Sequence, residues 1–203
     1  MNTRDSIKSV ALKLFNTRGL LNCTLRDVAA ELDKSYGNIT YHFAGREELV
    51  HALYEDLMTE LKEVGGQLDA GEQLLEKVLS APQLTYDITV KYLFFYLDYL
   101  EIRRSFPALA KRVDADNAQR MAGYKNMLQA LQQQKLLRAD LDEDTLAFLM
   151  ELSGIARTFF FTKIKPGAKK DAATKQAYVL YVNRVLYPYL TPEGVTRYKK
   201  FQL

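Results

Sequence analysis

A chain of 203 residues with 48% hydrophobic content can hold one large domain, or a small one beside a medium one, around a real core. No run approaches about eighteen consecutive apolar residues, and the start Met1-Asn2-Thr3-Arg4-Asp5 enters a charged amphipathic segment directly, so neither a membrane-spanning helix nor a signal sequence is expected. The single cysteine, Cys23, cannot form an internal disulfide and fits a reducing cytoplasm; with only two histidines beside it, no ligand set for a transition metal is left.

Ile7, Val10, Ala11, Leu14 and Phe15 repeat at the spacing of one helix face, which predicts a first helix over residues 3–17, stopped by Arg18-Gly19. Residues 24–43 then read as a helix-turn-helix. Leu25, Val28, Ala29 and Leu32 fall on one face of a short helix, with Thr24 at its N-cap and Asp27 where a capping box places its acid. Asp33-Lys34 breaks the period, and Ser35 can cap a second helix reaching Phe43. Within that helix Ile39 and Phe43 are the apolar anchor, and the rest faces out. Tyr36, Gly37, Asn38, Thr40, Tyr41 and His42 present hydroxyls, an amide, an imidazole and bare backbone, groups that bond phosphates or base edges, with no carboxylate among them. Gly37 costs roughly 1 kcal/mol of helix stability relative to Ala; it is either a helix-start glycine or a point where a sugar-phosphate backbone comes close.

Gly37-Asn38-Ile39-Thr40-Tyr41-His42-Phe43, followed by Arg46-Glu47-Glu48-Leu49, resembles the signature of the TetR family of bacterial transcriptional regulators, over about residues 7–53. The resemblance implies a three-helix DNA-binding head on an all-helical body that binds a ligand and forms a dimer. Two positions depart from the usual pattern. Thr40 stands where the family has a phosphate-contacting Tyr, and reaches less far; Arg46 stands where it has a Lys, and keeps the charge. On this reading Tyr36, Asn38 and Thr40 contact bases or nearby backbone, while Thr24, Lys34, Tyr41, His42 and Arg46 hold phosphates.

After the motif, Leu49, Leu53, Leu57 and Leu61 follow at four-residue spacing along a connecting helix, residues 47–66, with Glu47 and Glu48 in its first turn and Gly65-Gly66 at its end. Gly71 and Pro82 bracket a short helix. In residues 85–104 the only charges before the closing Arg103-Arg104 are Asp87, Lys91, Asp98 and Glu101, which lie within about 80° of one another, so nearly all the remaining circumference is apolar or aromatic and a central helix of the body is expected. A long helix follows Phe106-Pro107 to about Lys135, others cover 141–163 and 171–187, and the basic tail can form a short docking helix. The basic loop 163–170 reads as a solvated turn. The fold expected is all-α, with about nine to ten helices in a head (1–46), a connecting helix (47–66) and a ligand-binding and dimerisation domain (67–203).

Up to Arg46 there are seven basic residues against four acidic ones, and the remainder of the chain balances, so the whole excess of positive charge lies in the head. That suits a protein meeting a polyanion at one end. Thirteen Tyr and ten Phe suit a pocket for an amphipathic or aromatic effector, with Phe95, Tyr99, Tyr124, Met127 and Phe159 as candidates, although an ordinary core could also use them. One short recognition helix touches few base edges, so a two-fold pair reading a palindromic double-stranded operator is expected. Its interface is placed on the helices over 141–163 and 171–187, at Ala147, Gly154, Phe161, Tyr178, Val182 and Val185; Ala147, Gly154 and Phe161 recur every seven residues, and small residues at such a repeat allow close helix approach. No catalytic motif or glycine-rich phosphate loop appears, and Asp142-Glu143-Asp144 is explained by a helix dipole, so neither enzymatic activity nor a metal or cofactor is expected. The sequence predicts a cytoplasmic, homodimeric, ligand-responsive repressor; the alternative is an architectural DNA-binding protein without an effector.

Overall fold

Short polar side chains start six of the helices in the computed structural model, which describes residues 2–65, 73–164 and 171–202. Asn2, Thr24, Ser35, Asp142, Asp171 and Thr191 each accept a backbone amide from the first turn they precede, satisfying a donor that has no partner inside the helix. The elements are α1 (Thr3–Arg18), α2 (Leu25–Glu31), α3 (Tyr36–His42), α4 (Arg46–Gly65), α5 (Leu74–Lys91), α6 (Phe94–Leu97), α7 (Tyr99–Ser105), α8 (Pro107–Gln133), α9 (Glu143–Thr162), α10 (Ala172–Asn183), a 3-10 turn (Tyr187–Tyr189) and α11 (Pro192–Phe201). The described residues are all-α, with a single isolated antiparallel bridge between Leu137 and Leu190. Gly66, Gly71 and residues 165–170 of the expected basic turn lie outside the described residues.

Two compact units result, Met1–Lys62 with Ile88–Val113, and Glu63–Asp87 with Asp114–Leu203. Each has its own apolar core. In the first unit Ile7, Leu14 and Phe15 of α1 join Val28, Ile39, Phe43, Leu49 and Leu53, and Phe94, Ile102 and Leu109 complete the same cluster. The sequence boundary at residue 46 therefore cuts through one core. The second unit buries Leu74, Leu79, Leu128, Leu131, Leu146, Leu149, Leu186 and Tyr198 together.

Two expectations for residues 71–104 are corrected. Pro82 does not end a helix: α5 runs through it, forgoing one hydrogen bond to the preceding turn. Nor are residues 85–104 one straight helix. The chain breaks after Lys91, makes the single turn α6, and breaks again at Asp98 before α7. The cause lies far away in sequence. Asn16 on α1 donates its Nδ2 to the Lys91 carbonyl at 2.8 Å and accepts the Phe94 amide on Oδ1 at 2.9 Å, offering the broken backbone a partner for each kind of group. Asp98 Oδ2 accepts the Leu20 amide at 2.8 Å, and Tyr92 donates its hydroxyl to Glu60 on α4 at 2.7 Å. These bonds bind the break to the helices of the head.

The expected docking helix of the tail forms as α11, with Tyr198 buried. Its first turn sits on the end of α8, where Thr191 donates its hydroxyl to the Lys135 carbonyl at 2.7 Å. A Cβ at Gly194 would lie 2.2 Å from the Leu136 carbonyl oxygen, and backbone cannot swing aside as a side chain can. Gly194→Ala should cost roughly 3 kcal/mol by overpacking, read as a lower midpoint in urea denaturation.

Candidate functional site

The helix-turn-helix is set by three local devices. Thr24 and Asp27 form a full capping box at the start of α2: the Asp27 amide reaches Thr24 Oγ1 at 3.3 Å, and the Thr24 amide reaches Asp27 Oδ2 at 2.7 Å. The Thr24 hydroxyl, and after it the Thr24 amide, donate to the Asp27 carboxylate and hold it below the usual carboxylate range, so the box is intact at neutral pH. At the other end Asp33 takes a left-handed conformation, φ 52°. Its amide bonds the Ala30 carbonyl at 3.2 Å and the Lys34 amide bonds the Ala29 carbonyl at 3.0 Å, the crossed pair that closes a helix C-terminus and turns the chain sharply. Ser35 then caps α3 by accepting the Asn38 amide at 3.1 Å.

α3 is anchored by Ile39 and Phe43, both fully buried. Arg4 of α1 clamps its end, with the guanidinium 4.2 Å above the Phe43 ring and a hydrogen bond to the His42 carbonyl at 2.8 Å. Tyr36, Gly37, Asn38 and Tyr41 are exposed, Tyr41 to 85%. His42 is half-buried, its ring edge-on to Tyr41 at 5.2 Å. A Cβ at Gly37 would meet only Ser35 Oγ at 3.9 Å, so nothing inside the chain requires glycine there.

Three of the residues expected to touch DNA have other partners. Thr24 donates its hydroxyl to Asp27 at 2.6 Å, beside a carboxylate that repels phosphate. Thr40 turns its hydroxyl back onto the Tyr36 and Gly37 carbonyls, 3.2 Å each. Arg46 donates to the Leu20 and Cys23 carbonyls at 3.1 and 3.3 Å and lies over the Phe106 ring, tying the start of α4 to the loop before α2. Cys23 itself is buried, which pushes its thiol pKa up and keeps it protonated.

Ion pairs sort the basic residues of the head. Arg4 pairs with Glu48 at 3.7 Å, Lys8 with Asp56 at 2.7 Å and Lys13 with Glu31 at 2.7 Å. Arg18, Arg26 and Lys34 have no acidic partner within ion-pair distance among the described residues, and Arg26 lies 5.4 Å from the Tyr36 ring centre. Sequence reading found Lys34 and missed Arg18 and Arg26, because which cations are neutralised depends on contacts such as Lys13 to Glu31, eighteen positions apart.

The residues expected to line a pocket do not come together. Phe95 is buried in the core of the first unit against Phe94 and Tyr54. Tyr99 is exposed and takes a hydrogen bond from Arg103, and Phe159 is 51% exposed. Tyr124 does line a small cavity of about 10 Å³ in the second unit, with Leu79, Leu149, Ser153, Arg157 and Asn183 among its neighbours, and Met127 packs against the same unit's core.

The expected interface residues divide. Phe161, Tyr178 and Val182 are buried inside the chain's own core, with the Phe161 and Tyr178 rings tilted against each other, centres 5.2 Å apart, so they offer no surface to a second copy; Val185 is half-buried against the core of the second unit. Ala147 and Gly154 are exposed. Beside them on α9 stand Phe148, Ile155 and Phe159, 55, 60 and 51% exposed, and on α10 Leu180. Their spacing of seven and four residues puts the three α9 side chains within about 40° of one another. Of the residues sequence reading placed at the interface, Ala147 and Gly154 fall on the exposed side of α9 and Phe161, Tyr178 and Val182 on sides the chain covers itself, because both sides are apolar and the seven-residue repeat does not say which one the chain keeps.

A capped helix-turn-helix that bares a helix face without carboxylates, on an all-helical body, defines the class of helical DNA-binding regulators. Residues 7–53 match the family model described as bacterial regulatory proteins of the tetR family, and residues 50–198 match the TetR model described as a bacterial transcriptional repressor. The chain belongs to the TetR family. It is 23% identical over 209 aligned positions to a protein of Escherichia coli named "Probable acrEF/envCD operon repressor", covering 97% of this chain and 91% of that one. Its fold is similar to that of a TetR-family transcriptional regulator from Marinobacter aquaeolei (TM-score 0.83, 24% identity, 100% of both chains) and of a ketosteroid transcriptional regulator of Mycobacterium tuberculosis (TM-score 0.74, 20% identity, 94% and 96%). The protein is accordingly a DNA-binding transcriptional repressor and not an enzyme. Its partners are those of the family: operator DNA, a second copy of itself and a small-molecule effector. No helix among the described residues is long and apolar enough to cross a membrane.

Proposed function

We propose that α3 is the operator-reading helix, with Asn38 and Tyr36 at base edges, Tyr41, His42 and Lys34 on phosphates, and Arg18 and Arg26 added to the phosphate set. The observation that carries this is the face of α3, exposed, free of carboxylates and held rigid by Ile39, Phe43 and Arg4. Thr24 and Arg46 serve the geometry of the helix pair, because their polar atoms are engaged internally. Thr40 contributes its methyl group and a lone pair, its proton being spent on the helix backbone. Gly37 is the point of closest approach: it gives up helix stability at an open position where no contact inside the chain requires it. Operator binding is work done on a bacterial chromosome, in the cytoplasm.

The dimer is assigned to the exposed seam of Ala147, Phe148, Gly154 and Ile155 on α9 with Leu180 on α10, and effector binding to the interior of the second unit. Helices α5 and α8 contain residues of both units, which gives a covalent route from effector to head. An effector that prefers the non-binding conformation about a hundredfold supplies roughly 2.7 kcal/mol of coupling.

A footprint on the DNA upstream of the protein's own gene should show two half-sites about one helical turn, roughly 34 to 36 Å, or a multiple apart. Gly37→Ala separates reading from folding. The variant should melt no lower than the parent, gaining up to about 1 kcal/mol of helix propensity, yet bind the footprinted operator at least about tenfold more weakly. Unchanged operator affinity would remove α3 from the interface.

A further inference from the structure

Among the described residues, Arg157 has neither a hydrogen bond nor an acidic partner within ion-pair distance, although it is half-buried on the wall of the cavity in the second unit. A guanidinium taken partly out of water without an anion is costly, and the cost is repaid when a carboxylate meets it in two parallel hydrogen bonds. Its neighbours on the same wall are also donors. Ser153, one turn earlier on α9, is buried, and its hydroxyl interacts with the Tyr124 phenol, whose pKa burial pushes up. Asn183 has committed its Nδ2 to the Leu79 carbonyl at 2.8 Å, leaving Oδ1 as the one uncommitted side-chain amide acceptor. Among the described residues no carboxylate lines the cavity.

The rest of the lining is aliphatic. Val78 and Leu79 of α5, Leu149 of α9 and Val182 of α10 surround the polar group. One turn before Val182 on α10, the Tyr178 ring lies tilted against that of Tyr86 on α5, centres 5.4 Å apart, with both hydroxyls buried and no hydrogen-bond partner among the described residues. The interior thus offers one cation and a surplus of neutral donors inside branched aliphatic walls. Recognition there favours a ligand rich in acceptors with a negative head and an apolar body.

We infer that the effector is an amphiphilic carboxylic acid, bound as the carboxylate by Arg157 with Ser153 and Tyr124, its aliphatic chain lying against Val78, Leu79, Leu149 and Val182. The inference rests on the assignment of effector binding to the second unit. A cavity of about 10 Å³ has room for a single water, so binding requires α5, α8, α9 and α10 to move apart, and α5 and α8 are the helices that also contribute to the first unit. Ligand entry and displacement of these helices are one event.

The test uses the full-length protein and three probes of equal chain length: decanoate, decanol and decylamine. Decanoate should raise Tm in proportion to the logarithm of its concentration and release labelled operator, at concentrations at least tenfold below those needed for decanol; decylamine should do neither. Arg157→Gln should reduce decanoate to the level of decanol, and Arg157→Lys should keep the preference for decanoate over decylamine with weaker affinity. If Arg157→Gln does not fold, the Lys variant and the three-probe ranking on the parent decide. Equal responses to decanoate and decanol, a stronger response to decylamine, or no response to any of the three overturns the carboxylate assignment. The broader effector reading fails separately, only if a library spanning neutral and cationic compounds also leaves both Tm and operator binding unchanged.

Discussion

Ile155→Glu should turn the dimer into monomers and abolish tight operator binding. Ile155 is 60% exposed at the middle of the apolar seam on α9, between Phe148 and Phe159, and one turn from Glu151. In a two-fold dimer every substitution occurs twice, and near the axis the two new carboxylates face each other across an apolar surface. Burying them costs several kcal/mol per ion. A loss of about 4 kcal/mol raises the dimer dissociation constant about a thousandfold, which sedimentation at micromolar concentration reads directly. The DNA consequence is separately measurable. A single head makes half the phosphate contacts, so the slope of log K against log salt, about −0.9 per phosphate, should halve as affinity collapses. Phe161→Leu provides the contrast: that ring is buried within the chain, so its truncation should lower Tm and leave the mass a dimer's. An Ile155→Glu protein that still sediments as a dimer would move the interface elsewhere.

Asn16→Leu should have the second large effect, although Asn16 touches neither DNA nor the cavity. Its amide holds the Lys91 carbonyl and the Phe94 amide at the break between α5 and α6. Leucine has nearly the same shape and can bond neither. The part-buried Phe94 amide left without a partner costs roughly 1–3 kcal/mol, the exposed Lys91 carbonyl less because water can replace the bond, and a loss of about 2 kcal/mol in a chain of this size lowers Tm by roughly 4–8 °C. Operator affinity should fall with it, because α1 is the floor against which Ile39 and Phe43 are packed. Amide exchange should quicken in residues 88–105 first. Asn16→Asp, which keeps the acceptor for Phe94 and loses the donor to Lys91, should fall between. A Leu variant that melts within a degree of the parent would reduce Asn16 to an incidental contact.

The head was legible because its signals are local. Thr24, Asp27, Ser35 and the apolar pairs of α2 and α3 act over three or four residues, and the structure uses each of them in that way. What sequence reading assigned to Thr24 and Arg46, an external phosphate, and to Thr40, a base or nearby DNA backbone, went further, and each polar atom has a nearer partner inside the chain: a carboxylate three residues on, the loop carbonyls of Leu20 and Cys23, and a carbonyl one turn back. A side chain able to bond phosphate is equally able to bond its own backbone. Only distance decides, and composition carries no distances. Charge shows the same limit. The excess of positive charge in the head is a property of the sequence, but that Arg18, Arg26 and Lys34 carry it without an acidic partner among the described residues follows from which lysines and arginines the fold sets against Glu31, Glu48 and Asp56.

The amino-acid sequence by itself determined the helices, their caps, the reading motif and the all-α class, since hydrophobic period, capping residues and turn chemistry act within one or two turns of chain. It could not determine the course of residues 85–104, which keep a helical pattern throughout and are broken by Asn16 and Asp98, bonds that span 75 and 78 positions. Nor could it say which apolar side of α9 and α10 the chain keeps for itself, or that Phe95 joins the head while Tyr124 and Arg157 share a cavity wall in the second unit. Those outcomes belong to tertiary structure because each depends on two segments competing for the same surface or the same hydrogen bond, and the winner is settled only when both are in place.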